Sequence, residues 1–465
     1  MEERVGGWRL WLLSVSVGLL LLSPYLLSYG MFFDGVIYSA VSRNLAIGFG
    51  EFWRPAYSLT LGREFYGHPP LGFWMQSLPY RLLGDHLWID KAYSFGVGIL
   101  NIALLYLLWR VLQIGRYSGF WAPLLLLLTL PSVRWVMRND LLENPMTLFI
   151  LAASILYALS LRRRLFLSLP AGLSVGLAFL VKGPVSLFAL LFPITFANRF
   201  GWRRSLLSFL LGLSAFVALA VLILSTPEAR HFFQEYVRRQ IAVSVAGLEN
   251  PAPSRLYIIY ALMTELVFPV SILAVAKVVL GGRLTFNGDV LSLLLLGLSG
   301  SLPIMVSLKQ SRFYLFPSLF FYVLALSILF SQVIANAEKN VALRRVAGLL
   351  TPTFVVAALA VAIRFAGSGM GGYEPFYRDF VERPLRLNLR SHELLSVCPK
   401  SLYGNWSLFA GMERVFKLSM SLGEGHRFLL VEVGKCEAPE GYRPIHPEGE
   451  ATFRLYRRIS DGEDH

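Results

Sequence analysis

The chain has 465 residues, of which 55% are hydrophobic, 14% aromatic and only 15% charged. Too little polar side chain is left to cover a soluble globule, so the composition excludes one and points to a polytopic membrane protein. The formal net charge of +14 does not signal nucleic acid, because the basic residues stand in short clusters between apolar runs, where they set orientation and meet anionic lipid headgroups.

The first apolar run is Trp8–Tyr29, long enough at about 20 residues per crossing to span a bilayer. Arg4 and Arg9 flank it, but its apolar core is too long for a signal peptide and shows no small-residue cleavage site, so it reads as an uncleaved helix. Further spans are expected at about 91–112, 118–134, 145–161, 166–181, 184–199, 204–226, 256–280, 288–308, 312–334 and 343–365, about eleven in all. With the N-terminus in the cytoplasm, the inner loops hold Arg110 and Arg116, Arg162 to Arg164, Arg199, Arg203 and Arg204, Lys277 and Arg283, and Lys339, Arg344 and Arg345. Every inner loop is then basic, as the positive-inside rule asks. The same alternation puts a first outer loop of about 30–90, the stretch 138–143, Lys182, the loop 227–255, the stretch 309–312 and the C-terminal tail on the other side.

Residues 1–365 thus form a membrane domain, and 366–465 a small extracytoplasmic α+β domain, mixed in charge and carrying the strand-like stretch FLLVEV. Both cysteines, Cys398 and Cys436, fall in it. On the outer side they are open to disulfide formation, the alternative being two buried thiols.

Five motifs carry ionisable groups where a plain connector would not. In DGVIYSAVSRNLA, Asp34 and Tyr38 share a helix face, with Arg43 a little over two turns further on. The segment reads as an amphipathic helix in the membrane interface, although an aspartate at such a place also serves as an N-cap. FYGHPPLGFW makes a proline-fixed turn from which Tyr66 or His68 can reach a cavity. RNDLLENPMTLF sets Asp140 and Glu143 three apart on one helix face just outside a span, where carboxylates are expensive unless paired or functional. FLVKGPVSLF places Lys182 at an outer break between short helices, able to meet a phosphate or to snorkel. LKQSRFYLFPSLFF puts Lys309, Arg312 and Tyr314 at the outer end of another helix, and two cations there suit a lipid phosphate.

In this order the motifs resemble those of the polyprenyl-phosphate-sugar-dependent GT-C glycosyltransferases. The similarity covers residues of about 8–335 and is to the branch holding the lipid A aminoarabinose transferase, with the protein O-mannosyltransferases more distant. It implies transfer of a sugar, with inversion, from an undecaprenyl or dolichyl phosphate donor to an acceptor hydroxyl or amine on the outer face. It also implies Asp34 at the reaction centre, Glu143 or Asp140 as the acidic residue of the second outer loop, and Lys182, Lys309 and Arg312 on the donor phosphate; the residues themselves add Tyr38, Arg43, Tyr66, His68 and Tyr314 as further binding candidates. The chain departs from that branch at Gly67-His68-Pro69-Pro70, where Glu-Lys-Pro-Pro is usual. A proposed metal-binding acid and a phosphate-facing lysine are thereby missing, and a lone histidine is a poor metal site, so no metal is assigned. A transporter would show related halves with helices broken at the midplane. A flippase or polymerase of lipid-linked saccharides would lack the Asp34 loop and the His-Pro-Pro turn.

Overall fold

A computed structural model of the chain describes residues 3–24, 26–114, 119–248, 251–281, 284–334, 341–366, 374–380, 387, 389, 391–445 and 451–459. Arg116, Arg283 and Lys339, and the side chain of Arg344, lie outside the described residues. The chain forms two compact units. The first comprises Met1–Ser23, Tyr66–Gly72 and Ser94–Val361, and the second Pro24–Phe65, Phe73–Tyr93 and Ala362–His465.

The first unit is a helical bundle. Among the described residues, eight helices are long and apolar enough to cross a membrane: Trp88–Val111, Glu143–Arg162, Leu165–Lys182, Trp202–Leu224, Tyr257–Val279, Gly288–Val306, Arg312–Val333 and Val341–Phe365. Each falls on an expected span. The other three expected spans are shorter or broken, and proline accounts for each. The first helix ends at Leu22 because Pro24 disfavours helical backbone at the residue before it. The stretch 118–134 divides into Trp121–Thr129 and Pro131–Asn139, since Pro131 cannot donate into the first helix but starts the second well. The stretch 184–199 begins with the short 3-10 helix Pro184–Leu191.

Helix Phe316–Val333 is buried on nearly every side and apolar all round, which marks it as a central helix of the bundle. Two helices approach closely where glycines face each other. A Cβ at Gly172 would lie 1.9 Å from the Gly212 carbonyl oxygen, and one at Gly212 would lie 2.0 Å from the Tyr157 hydroxyl, so only glycine permits this crossing.

The second unit contains the helix Phe33–Ala46, the two-residue hairpin β1 (Gly50–Glu51) and β2 (Arg54–Pro55), and a C-terminal α+β part. The expected helix over DGVIYSAVSRNLA is present, but it does not leave one polar face to a membrane interface. Every residue from Gly35 to Leu45 is buried: helix Trp406–Phe416 packs against this helix, and Ser42 donates to Gln76 Oε1 at 2.8 Å. The C-terminal strands are β3 (Glu393–Cys398), β4 (Leu418–Ser421), β5 (Phe428–Glu432), β6 (Tyr442–Pro444) and β7 (Phe453–Arg458). They form one sheet in the order β4-β3-β5-β7-β6. Strand β3 runs parallel to both β4 and β5, while β7 is antiparallel to β5 and β6. Leu395, Leu418, Met420, Leu430 and Leu455 supply its buried side chains.

Cys398 and Cys436 are disulfide-bonded, 38 positions apart in sequence. Closing a loop of that length restricts the unfolded chain and is worth about 4 kcal/mol on chain-entropy grounds. Reduction is therefore expected to lower the unfolding temperature of the C-terminal part by several degrees. Thermal scans of the full chain with and without reductant check this, and coincident transitions would show that the bridge adds nothing.

Candidate active site

The site grows from two helix breaks in the first unit. Helix Ser168–Lys182 stops at Gly183, whose backbone at φ 84° and ψ −146° is open essentially to glycine alone. A Cβ there would also come within 2.3 Å of the Tyr236 hydroxyl. This stop leaves Lys182 at the end of its helix. The second break is at Asp140, which closes helix Pro131–Asn139 in a left-handed conformation, with φ 51°, and the chain then turns into helix Glu143–Arg162. Asp140 and Glu143 are consequently not on one helix face: Asp140 is a buried end residue whose N–H donates to Ser94 Oγ at 3.2 Å, and Glu143 starts the next helix.

Glu143 is fully buried and its Oε1 lies 2.7 Å from Lys182 Nζ. Lys182 Nζ also stands 5.1 Å from the Tyr314 ring centre and 5.9 Å from that of Phe313, a cation–π arrangement that is strong when desolvated. The pair opens on a cavity of about 670 Å³ that His68, Lys309, Tyr314 and Tyr236 also line. Much of the remaining wall is apolar and includes Phe188, Leu191, Phe209 and Ile304. All of these residues belong to the first unit.

Lys309 is set in place by its backbone. Its N–H and that of Leu308 donate to the Ser244 carbonyl at 3.3 and 3.2 Å, and the Ser307 hydroxyl donates to the same oxygen at 3.0 Å. Burial, and then the positive charges of Lys182 and Lys309, hold the His68 imidazole well below its ordinary value of 6.5, so it is neutral at neutral pH. Burial likewise raises the Tyr236 hydroxyl above its ordinary range. Among the described residues, no cluster of three His, Cys, Asp or Glu side chains has the spacing of a metal site.

The structure thus gathers Glu143, Lys182, His68, Lys309 and Tyr314 of the expected residues. Tyr66 is buried beside them in sequence, packed on Phe232 with Arg239 5.2 Å over its ring. Arg312 is employed elsewhere: its Nε lies 3.4 Å from Oε1 of the fully buried Glu265, and its Nη2 donates to Thr264 Oγ1. A buried carboxylate needs a cation, and Glu265 takes this one.

Asp34, Tyr38 and Arg43 belong to the second unit. Asp34 stands partly exposed in the first turn of helix Phe33–Ala46, with Phe32 rather than Asp34 at the N-cap position. Tyr38 packs its ring on Phe73. Arg43 is not a phosphate ligand but a fully buried clamp. Its guanidinium donates to the Glu413 carbonyl at 2.8 Å, to Asp85 at 3.2 Å and to Asn44 at 2.8 Å. It thereby satisfies carbonyls at the C-terminal end of helix Trp406–Phe416. Arg414 adds contacts to Asp85 at 2.7 Å and Asp90 at 2.8 Å. Burial pushes the Asp85 carboxyl up, yet Arg414 and Arg43 together hold it below its ordinary range.

The family model for dolichyl-phosphate-mannose-protein mannosyltransferase matches residues 67–226. Over 247 residues the chain is 29% identical to the undecaprenyl phosphate-alpha-4-amino-4-deoxy-L-arabinose arabinosyl transferase of Pseudomonas aeruginosa (strain UCBPP-PA14). That match covers 49% of this chain and 43% of the relative, so it spans less than half of the relative's length. The crystal structure of ArnT from Cupriavidus metallidurans bound to undecaprenyl phosphate superposes with a TM-score of 0.62 at 13% identity, covering 98% of this chain and 99% of that one. The chain has the fold of ArnT. Apo ArnT from the same organism agrees, with a TM-score of 0.59 at 14% identity over 97% of each chain. The chain is a multi-pass membrane protein that resembles ArnT and the wider GT-C glycosyltransferases.

Within this ArnT-like fold, sequence reasoning missed Tyr236, Gln240 and Ser244, which line the cavity from one continuous helical segment. A π-helical turn at Val237–Ile241 brings Gln240 and Ile241 to the wall, a device common at functional sites. The available signal was length, since a loop near thirty residues is too long for a plain connector. Glu265 was also missed, although an acid inside an apolar run is a signal in itself.

Gly183→Ala is expected to cost about 1–3 kcal/mol, the usual range for a residue held in a forbidden backbone region, and to displace Tyr236 from the cavity wall. Thermal unfolding and lipid binding of the purified variant check this. A variant as stable as the parent would show that the backbone relaxes at this break.

Proposed function

We propose that the chain is a glycosyltransferase that moves a sugar from a polyprenyl phosphate to an acceptor hydroxyl or amine. The observation that carries this reading is the cavity in which Glu143, Lys182, His68, Lys309 and Tyr314 meet an apolar wall. Its volume lies within the roughly 300–1,000 Å³ usual for ligand sites. Two lysines suit a phosphate, and Phe188, Leu191, Phe209 and Ile304 suit a prenyl chain. The likeness to ArnT, which was crystallised with undecaprenyl phosphate, supports the same class of lipid here.

In this mechanism the acceptor attacks the anomeric carbon as the carrier phosphate departs, which inverts the configuration. Lys182 and Lys309 stabilise the negative charge growing on the leaving phosphate, and Glu143 holds the Lys182 ammonium in place. Asp34 orients the acceptor and takes its proton. Transfer takes place on the outer side of the membrane in this reading, which the basic inner loops support and with which a Cys398–Cys436 disulfide in an oxidising compartment agrees. The partners are then the lipid-linked donor, a lipid, glycan or protein acceptor, and surrounding membrane lipid.

Purified protein incubated with a panel of polyprenyl-phosphate sugars tests this. Mass spectrometry is expected to find the sugar released or transferred and the carrier phosphate left behind. If every donor in the panel binds and none is consumed, the reading fails in favour of a carrier flippase.

A further inference from the structure

The charges around the cavity match the donor and not the product. The lining residues of formal charge are Glu143, Lys182 and Lys309, with Glu143 seated 2.7 Å from Lys182, and by formal charge they amount to a single positive one. One positive charge matches a phosphodiester, the form in which a sugar is joined to its carrier. When the bond between the anomeric carbon and the ester oxygen breaks, its electron pair stays on that oxygen, the acceptor atom bonds to the carbon and the acceptor proton is released. The carrier is now a monoester carrying two charges, because the second ionisation of such a phosphate lies at roughly 6.

We propose that His68 is the reserve cation of this site, taking up one proton when the bound carrier phosphate gains its second charge, so that the product headgroup meets an imidazolium as well as the lysines. The step balances: the proton leaving the acceptor is taken by Asp34 and lost to water, His68 takes one proton from water, and the cavity with its ligand keeps the same net charge. The inference rests on the glycosyltransferase reading and deepens it.

Two observations and one consequence support it. His68 lines the same cavity as both lysines. Burial is the main influence that keeps it neutral, and it is near enough to Lys182 and Lys309 for their charges to add to that effect. Neutralising those two charges with a phosphate removes that repulsion and adds an anion, and both changes favour the imidazolium. The other titratable groups on the wall are otherwise engaged: Glu143 is committed to Lys182, Tyr236 is held above its ordinary range, and the Tyr314 ring centre stands 5.1 Å from Lys182 Nζ. A lysine at position 68 would add a fixed charge for every ligand, whereas histidine supplies it on demand.

The test is calorimetric titration of the full chain in nanodiscs at about pH 7.5, above the ordinary ranges of histidine and of a phosphate monoester. Undecaprenyl phosphate and a polyprenyl phosphodiester are each run in two buffers of different ionisation enthalpy. The monoester is expected to bring uptake of close to one proton and the diester markedly less. Monoester Kd is expected to rise with pH by up to about tenfold per unit across the window in which His68 gains its proton. His68→Asn should bind with no uptake, and His68→Lys should bind the monoester at least as tightly as the parent, also with no uptake. Tight binding with no buffer dependence in the parent, or unchanged uptake in His68→Asn, overturns the inference and leaves the glycosyltransferase reading standing. Failure of the parent to bind either lipid overturns that reading and this inference with it.

Discussion

Asp34→Asn is expected to abolish sugar transfer while leaving the protein folded and able to bind the donor lipid. The substitution keeps the size and shape of the side chain and removes its basicity, and losing a positioned general base costs typically 10²–10⁴-fold in rate. The structural cost is small. Asp34 is partly exposed in the first turn of helix Phe33–Ala46, where an acid contributes about 0.3–1 kcal/mol through the helix dipole. The helix is held by other groups, including the buried Arg43 and its contacts to Glu413 and Asp85. Donor consumption measured alongside the unfolding temperature separates the two effects. A folded Asp34→Asn protein with parental turnover would remove Asp34 from the mechanism.

Lys182→Met is expected to be severe in two ways. It strands the fully buried Glu143 carboxylate without the ammonium that now lies 2.7 Å away, and breaking a buried pair from one side costs about 3–5 kcal/mol. It also removes a cation from the proposed phosphate site, so undecaprenyl phosphate binding should fall at least tenfold. The double variant Glu143→Gln/Lys182→Met distinguishes these losses. Replacing both partners leaves no uncompensated charge, so most of the stability should return, while lipid binding stays impaired. If binding returns together with stability, Lys182 is a structural partner of Glu143 and not a phosphate ligand.

Several of the site residues were legible because they stand at breaks that sequence chemistry makes visible. Lys182 precedes Gly-Pro, Glu143 precedes a proline-containing helix start, and His68 precedes two prolines. An ionisable residue at such a place is conspicuous against an apolar background. What could not be read was which cations reach the cavity. Arg43 and Arg312 have the same credentials in the sequence as Lys182 and Lys309, yet Arg43 is consumed by Glu413 and Asp85, and Arg312 by Glu265. The Arg43 contacts join residues about 370 positions apart, a separation at which no local pattern carries information.

The sequence by itself determined the class of the protein, eight of its apolar helices and the proline breaks. These arise from hydropathy and backbone restriction, which act on neighbours along the chain. The tertiary structure alone decided that the Asp34 helix is buried in a unit with the C-terminal sheet, that Cys398 meets Cys436, and that Lys182 pairs with Glu143 in a cavity shared with His68 and Lys309. Charge pairing and burial act over a few ångströms between side chains far apart in sequence, so they exist only once the chain has folded.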